Sequence, residues 1–137
     1  MNQFIKLTPT TDRDHDRGRR LDAILIRTAS ITHVMEYERL VEVHWASFKT
    51  HWWELVRERM ADFENQLQGF IKLTPDVGNY GPSTLLAKAN CITHVERLKA
   101  ARNPLSIVYL SADTNYSYKV TETPETIYQL IKEQGEL

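Results

Sequence analysis

Apolar and polar residues alternate with period two in several short segments of this chain separated by turn formers, the pattern of a β-rich protein. Phe70 to Thr74 alternates around Ile71 and Leu73 and runs into Pro75-Asp76-Val77-Gly78-Asn79-Tyr80-Gly81-Pro82, which predicts a strand followed by a loop. Thr84 to Ala89 predicts a second strand that runs or bends through Cys91 to Val95, with Asn90 at the bend. Beyond the basic connection Arg97 to Arg102 and the pair Asn103-Pro104, alternation sets Leu105, Ile107 and Tyr109 on one face and Ser106 and Val108 on the other. Ala112 to Asn115 predicts a hairpin turn, and Tyr116, Tyr118, Val120 and Glu122 one face of a fourth strand. Thr123-Pro124-Glu125 is a helix start: a hydroxyl for the N-cap, proline at the first helical position, and an acid beside the positive end of the helix dipole. Ile127, Leu130 and Ile131 are the apolar stripe of the short helix that follows.

The first part of the chain repeats this plan. Phe4-Ile5-Lys6-Leu7-Thr8-Pro9 returns letter for letter at Phe70 to Pro75, and Ile31-Thr32-His33-Val34 returns as Ile92-Thr93-His94-Val95. Thr50, Val56 and Glu58 match Thr114, Val120 and Glu122 at the same internal spacing. The expectation is a tandem duplication joined near Gln68-Gly69, with units 1–68 and 69–137. Val41, Val43 and Trp45 are aligned with Leu105, Ile107 and Tyr109. Glu54, Arg57, Glu58, Arg59, Met60 and Ala61 are good helix formers, so Trp52 to Gln68 read alone allows one long helix. The alignment instead predicts a strand over Trp52 to Val56 and a helix starting near Met60. The expected fold is therefore α+β: two pseudo-symmetric units in one compact body, each an antiparallel meander of about four strands followed by a short helix. Ile5, Leu7, Ile71 and Leu73 are expected in its core.

Either half alone falls in the size range where a separate core is marginal, so the halves are expected to share an interface. Seventeen Lys and Arg against 18 Asp and Glu leave a formal charge of −1, which removes any global field toward nucleic acid or an anionic membrane. Cys91 is the only cysteine, excluding an intrachain disulfide and a cysteine-built zinc site. The first residues show no basic segment followed by an apolar run, and no stretch approaches the roughly 20 apolar residues of a membrane span. The expectation is a soluble cytoplasmic protein with no membrane contact.

The opening Phe-Ile-Lys-Leu-Thr of the second unit, its Asn90, and its ending Val120-x-Glu122-x-Pro124-Glu125-x-Ile127-x-x-Leu130-Ile131 resemble the small flagellar protein family FlbD and its relatives in phages and mobile elements. The likeness covers most of residues 69 to 134. In the first unit Ala29 stands in place of the Asn and Met60 in place of the Pro. The resemblance implies a β-rich, non-enzymatic module without cofactor.

Candidate chemistry concentrates in the first unit. Asp12, Asp14 and Asp16 alternate as in a calcium loop, but glycine falls at Gly18 and no glutamate closes the twelfth position. Arg17, Arg19 and Arg20 around Gly18 offer forked donors to a phosphate, the alternative being a solvated, self-neutralised hairpin tip. His33 and His94 are read as solvent-side or interface residues, and His44 and His51 as able to approach each other across a hairpin. No nucleophile has an evident base and orienting group, so neither catalytic nor metal-ligating residues are assigned. Trp45, Trp52 and Trp53 crowd one hairpin; Trp52 and Trp53, adjacent on a strand, point to opposite faces, so one of them is left to be exposed or covered by a partner. The reading that follows is a non-catalytic protein-binding or adaptor protein, phage or mobile-element encoded, using Arg17, Arg19, Arg20, Trp45, Trp52 and Trp53, with homo-oligomerisation open. The alternative is a protein that sequesters a nucleotide or other phosphate-bearing small molecule. A third is a weak nucleic-acid binder.

Overall fold

The computed structural model describes residues 3–10, 23–47, 50–76, 81–99, 105–110 and 116–135. In order, the elements are β1 (Phe4–Leu7), β2 (Ile24–Arg27), β3 (Ile31–Glu36), β4 (Val41–Ser47), β5 (Thr50–Val56), α1 (Met60–Gln66), β6 (Phe70–Leu73), β7 (Thr84–Lys88), β8 (Ile92–Arg97), β9 (Ser106–Leu110), β10 (Tyr116–Val120) and α2 (Pro124–Glu133). The protein is β-rich, and among the described residues there are two helices and every strand pair is antiparallel.

A five-stranded sheet in the order β5-β4-β3-β7-β6 lies at the centre. Its middle pair joins the two halves of the chain: His33 faces Ala87, Val34 faces Leu86, Met35 faces Leu85 and Glu36 faces Thr84. Period-two alternation sends neighbouring side chains to opposite faces, and each face carries a core. On one side Val34, Val41, Val43, Val56 and Leu86 meet Ile5, Leu7, Ile26 and, from α1, Met60 and Phe63. On the other, Met35, Ile71, Leu73, Leu85 and Ala87 meet Val108, Leu110, Val120 and, from α2, Ile127. Leu86 thus enters the core built mainly from the first half, and Met35 the core built mainly from the second. Ile5, Leu7, Ile71 and Leu73 are all buried, as the alternation predicts.

Several local interactions occur at matched positions in the two halves. The Thr8 N–H donates to Glu58 Oε1 at 2.8 Å, and the Thr74 N–H to Glu122 Oε1 at 3.0 Å. Pro9 bridges Val56 and Pro75 bridges Val120, closing the first strand of each half against its last. Thr28 N–H donates to Gln3 O at 2.9 Å; Ala89 N–H donates to Gly69 O at 2.8 Å. Gly69, between α1 and β6, has φ 77°, a left-handed conformation that suits glycine.

Two sequence expectations change. The second apolar segment of each half is interrupted by a 3-10 turn, Thr28–Ser30 or Ala89–Cys91, and continues as another strand, so the described residues of each half contribute five strands rather than about four. The turn redirects the chain from one ladder to another, and alternation within either piece survives it. The alternation of β9 holds, and its buried side is that of Ser106, Val108 and Leu110, with Leu105, Ile107 and Tyr109 half-buried. Ser106 tolerates the interior because its hydroxyl donates to Glu122 O at 2.8 Å. By pairing register, the residue opposite Val120 is Ser106 and the residue opposite Val56 is Val41, so Val41 matches Ser106 rather than Leu105, and Trp45 matches Leu110.

The expected strand over Trp52 to Val56 and the helix from Met60 are present as β5 and α1. The Asp62 carboxylate accepts from the Arg59 N–H at 3.0 Å at the start of α1. At α2 the Thr123 hydroxyl caps the Thr126 N–H at 3.1 Å, with Pro124 in the first turn. Among the described residues no helix is long and apolar enough to cross a membrane.

Candidate functional site

The tryptophans lie on hairpin β4–β5, where Trp45 pairs with Trp52 and His44 with Trp53. Trp45 and Trp52 continue the face that Val43 and Val56 bury. Trp45 is half-buried against that core, whereas Trp52, near the hairpin end, is 39% exposed. Trp53 points to the opposite face and is half-buried. The adjacent pair does diverge, as strand geometry requires, but neither member is fully inside.

On the Trp53 face, Leu55 is the next side chain along β5, and it lines a cleft of about 440 Å³ formed with Tyr37, Glu38, Arg39, Leu40, Glu42 and Gly81. The Tyr37 N–H donates to Leu40 O at 2.8 Å, tightening the β3–β4 turn that forms one wall. Burial, with nearby Glu42 adding to it, raises the Tyr37 hydroxyl above its ordinary pKa, so it stays a neutral hydrogen-bonding group. Glu38, Arg39 and Glu42 bring charge to this wall, and the Arg59 guanidinium donates to Arg39 O at 3.2 Å beside them.

Beside the cleft, His33, His44 and His51 gather under Tyr116 and Tyr118 of β10. The His33 and His44 rings stack at 4.1 Å, and His51 lies 4.5 Å from the Tyr116 ring. The Thr32 hydroxyl lies 2.9 Å from His33 Nδ1 and 3.4 Å from His44 O, and His33 Nε2 lies 2.8 Å from the Tyr118 hydroxyl. Only 1% of His33 is exposed. Burial, with His44 and His51 adding repulsion, holds its pKa well below 6.5, so it is neutral. Burial likewise raises Tyr118 above its ordinary value, helped by Glu42. His44 Nε2 meets Glu42 Oε1 at 2.7 Å, and His44 Nδ1 meets His51 Nε2 at 2.8 Å, the approach expected across the hairpin. His51 Nδ1 is buried and finds no partner among the described residues. These contacts occupy both nitrogens of His33 and of His44 and tie the first half to β10.

His33 therefore belongs to the interface reading, whereas His94, with a 55% exposed side chain, is solvent-side. The His33–Tyr118 bond spans 85 residues and follows from sheet order; no local spacing signals it. Arg17, Arg19 and Arg20, like Asp12, Asp14 and Asp16, lie outside the described residues. Among the described residues no group of three or more His, Cys, Asp or Glu could hold a metal ion. Cys91 is a free, half-buried thiol whose pKa burial pushes up, which disfavours the reactive thiolate. No protein-family model, curated protein or solved structure matches this chain.

Proposed function

We propose that this chain is a non-catalytic protein-binding adaptor that works by occupying a partner's surface. The observation that carries the reading is the half-buried face of hairpin β4–β5, where Leu55 lines the cleft walled by Tyr37 and Leu40 and Trp53 lies on the same face of β5. Such an apolar, aromatic groove with a polar rim suits an inserted polypeptide side chain. The cleft is also large enough for a small ligand, which keeps phosphate-compound sequestration as the second reading.

The architecture in this proposal is two tandem pseudo-symmetric units, residues 1–68 and 69–137. It is supported by the repeated sequence words, the repeated element order and the matched Thr8–Glu58 and Thr74–Glu122 bonds. The FlbD likeness, the phage or mobile-element origin it implies and a cytoplasmic site of action belong to the same proposal.

The test is affinity purification from the native host with wild-type protein and with Trp53→Ala and Arg39→Glu, reading proteins and small metabolites in parallel by mass spectrometry. A protein retained by wild type and weakened at least about 30-fold by Trp53→Ala, with native-like melting, is expected. Recovery of a phosphate metabolite, with every retained protein indifferent to both substitutions, would replace this reading with sequestration.

A further inference from the structure

The β3–β7 pairing that joins the halves has a matching pair of strands that do not meet. In sequence words and element order β8 corresponds to β3, and β2 corresponds to β7. Among the described residues β8 is hydrogen-bonded only to β9, and β2 only to β1. Within those residues each leaves one edge open.

Burial differs accordingly. The first five residues of β3 are buried, whereas β8 has none buried and four of its six residues exposed. Leu86, at the centre of β7, is 4% exposed; Leu25, at the same place in β2, is 63% exposed. An unpaired edge carrying an exposed leucine is a template for another strand.

The side-chain apparatus of the joined seam is also present at the open one. Thr93 Oγ1 lies 3.2 Å from His94 Nδ1 and donates to Tyr109 O at 3.3 Å, repeating Thr32, His33 and His44 O. His94 stacks on Tyr109 at 4.2 Å, as His33 stacks on His44. The His33 stack is capped by Tyr116 and Tyr118. By register, the residue matching Tyr116 is Trp52, itself 39% exposed. Lys88 Nζ clamps the joined seam by donating to Ala29 O at 2.6 Å, and the matching cation on the open edge is Arg27.

We infer that the chain associates head to tail with copies of itself, β8 of one molecule pairing antiparallel with β2 of the next in the register of the internal seam. His94 then faces Ile26, Val95 faces Leu25, Glu96 faces Ile24 and Arg97 faces Ala23, and Trp52 of the incoming copy covers the His94–Tyr109 stack. The surface is separate from the Tyr37–Leu55 cleft. It is heterologous, so repetition generates a ring where the rotation closes and an open polymer where it does not. Glu96 occupies the position of buried Met35 and accepts from the Tyr109 hydroxyl at 2.7 Å. A carboxylate at that place makes the intermolecular seam weaker than the internal one, so association is reversible and concentration-dependent.

Sedimentation and light scattering across the micromolar range test this on the full chain. Wild type should grow beyond monomer mass with concentration. Leu25→Lys, at an exposed position, should weaken association at least about 30-fold while leaving circular dichroism and melting native-like. In a Cys91→Ser background, mixing Leu25→Cys chains with Val95→Cys chains under oxidation should yield a cross-linked heterodimer, while Leu25→Cys mixed with Glu64→Cys should not. Monomer at every concentration overturns the inference and leaves β8 a charge-guarded edge. Association indifferent to Leu25→Lys, or cross-linking no greater than the control, overturns it by placing the interface elsewhere. Neither result bears on partner capture by the cleft, which Trp53→Ala reads separately.

Discussion

Acidification should loosen the junction between the halves, and His33 sets the size of the effect. In the folded protein this imidazole is buried, has two hydrogen-bonded nitrogens and stands 4.1 Å from His44, so its pKa lies well below the ordinary 6.5. The unfolded chain binds the proton with its ordinary affinity. Below about pH 6.5 the unfolded state therefore holds more protons than the folded state, and stability falls as pH falls until the folded pKa is reached. For a histidine that stays neutral when folded, the loss between about pH 7 and about pH 5.5 is about 1.3 kcal/mol. His51, also lowered by burial but partly solvated, adds in the same direction. Glu125 is held below the ordinary carboxylate range by Arg97 and titrates below this window. Urea unfolding at fixed protein concentration should show the decline in wild type. His33→Gln should cost about 1–3 kcal/mol at pH 7 through the partners it abandons, but lose most of the slope. A flat wild-type profile over that interval, or an equal slope in His33→Gln, would refute the assignment of a neutral buried imidazole.

Two further outcomes follow from the cores and the matched carboxylates. Leu7→Ala and Leu73→Ala, each at a fully buried position in a different core, should each cost about 2–4 kcal/mol in denaturant unfolding; a change below about 0.5 kcal/mol would contradict their burial. Glu58→Gln and Glu122→Gln should each destabilise by about 1–2 kcal/mol by weakening charge-assisted bonds to Thr8 and Thr74. Glu58→Gln should cost more, because Glu58 also accepts the Thr8 hydroxyl; thermal melts of the two variants rank them.

What the residue pattern reveals is local. Ile5, Leu7, Ile71 and Leu73 are readable because each strand alternates cleanly, and Thr123-Pro124 because a cap is written into adjacent residues. A bend at Asn90 is legible, but that it is a 3-10 turn starting a separate strand is hidden, because Ala89-Asn90-Cys91 interrupts two alternating stretches without a proline or glycine. The buried side of β9 is not legible because Leu105-Ser106-Ile107-Val108-Tyr109-Leu110 offers apolar residues to both faces, and the deciding contact, Ser106 to Glu122 O, lies across the hairpin. The histidine–tyrosine seam is legible in part: the approach of His44 and His51 follows from one hairpin. Their cover by Tyr116 depends on which strands meet across the whole chain.

The exchange of Leu86 and Met35 between the two cores has a consequence during synthesis. When residues up to Gln66 have left the ribosome, β3, β4, β5 and α1 can form, but the position beside β3 stays vacant until Leu85, Leu86 and Ala87 emerge. The nascent chain must therefore carry an apolar strand edge and an incompletely filled core through translation of the intervening residues, while neighbouring ribosomes on the same message present the same edge. Whether β7 arrives before another nascent β3 does is a race between elongation and collision. Slower elongation after β6, or crowding of ribosomes on the message, shifts that race toward entangled products even when the finished protein is thermodynamically secure.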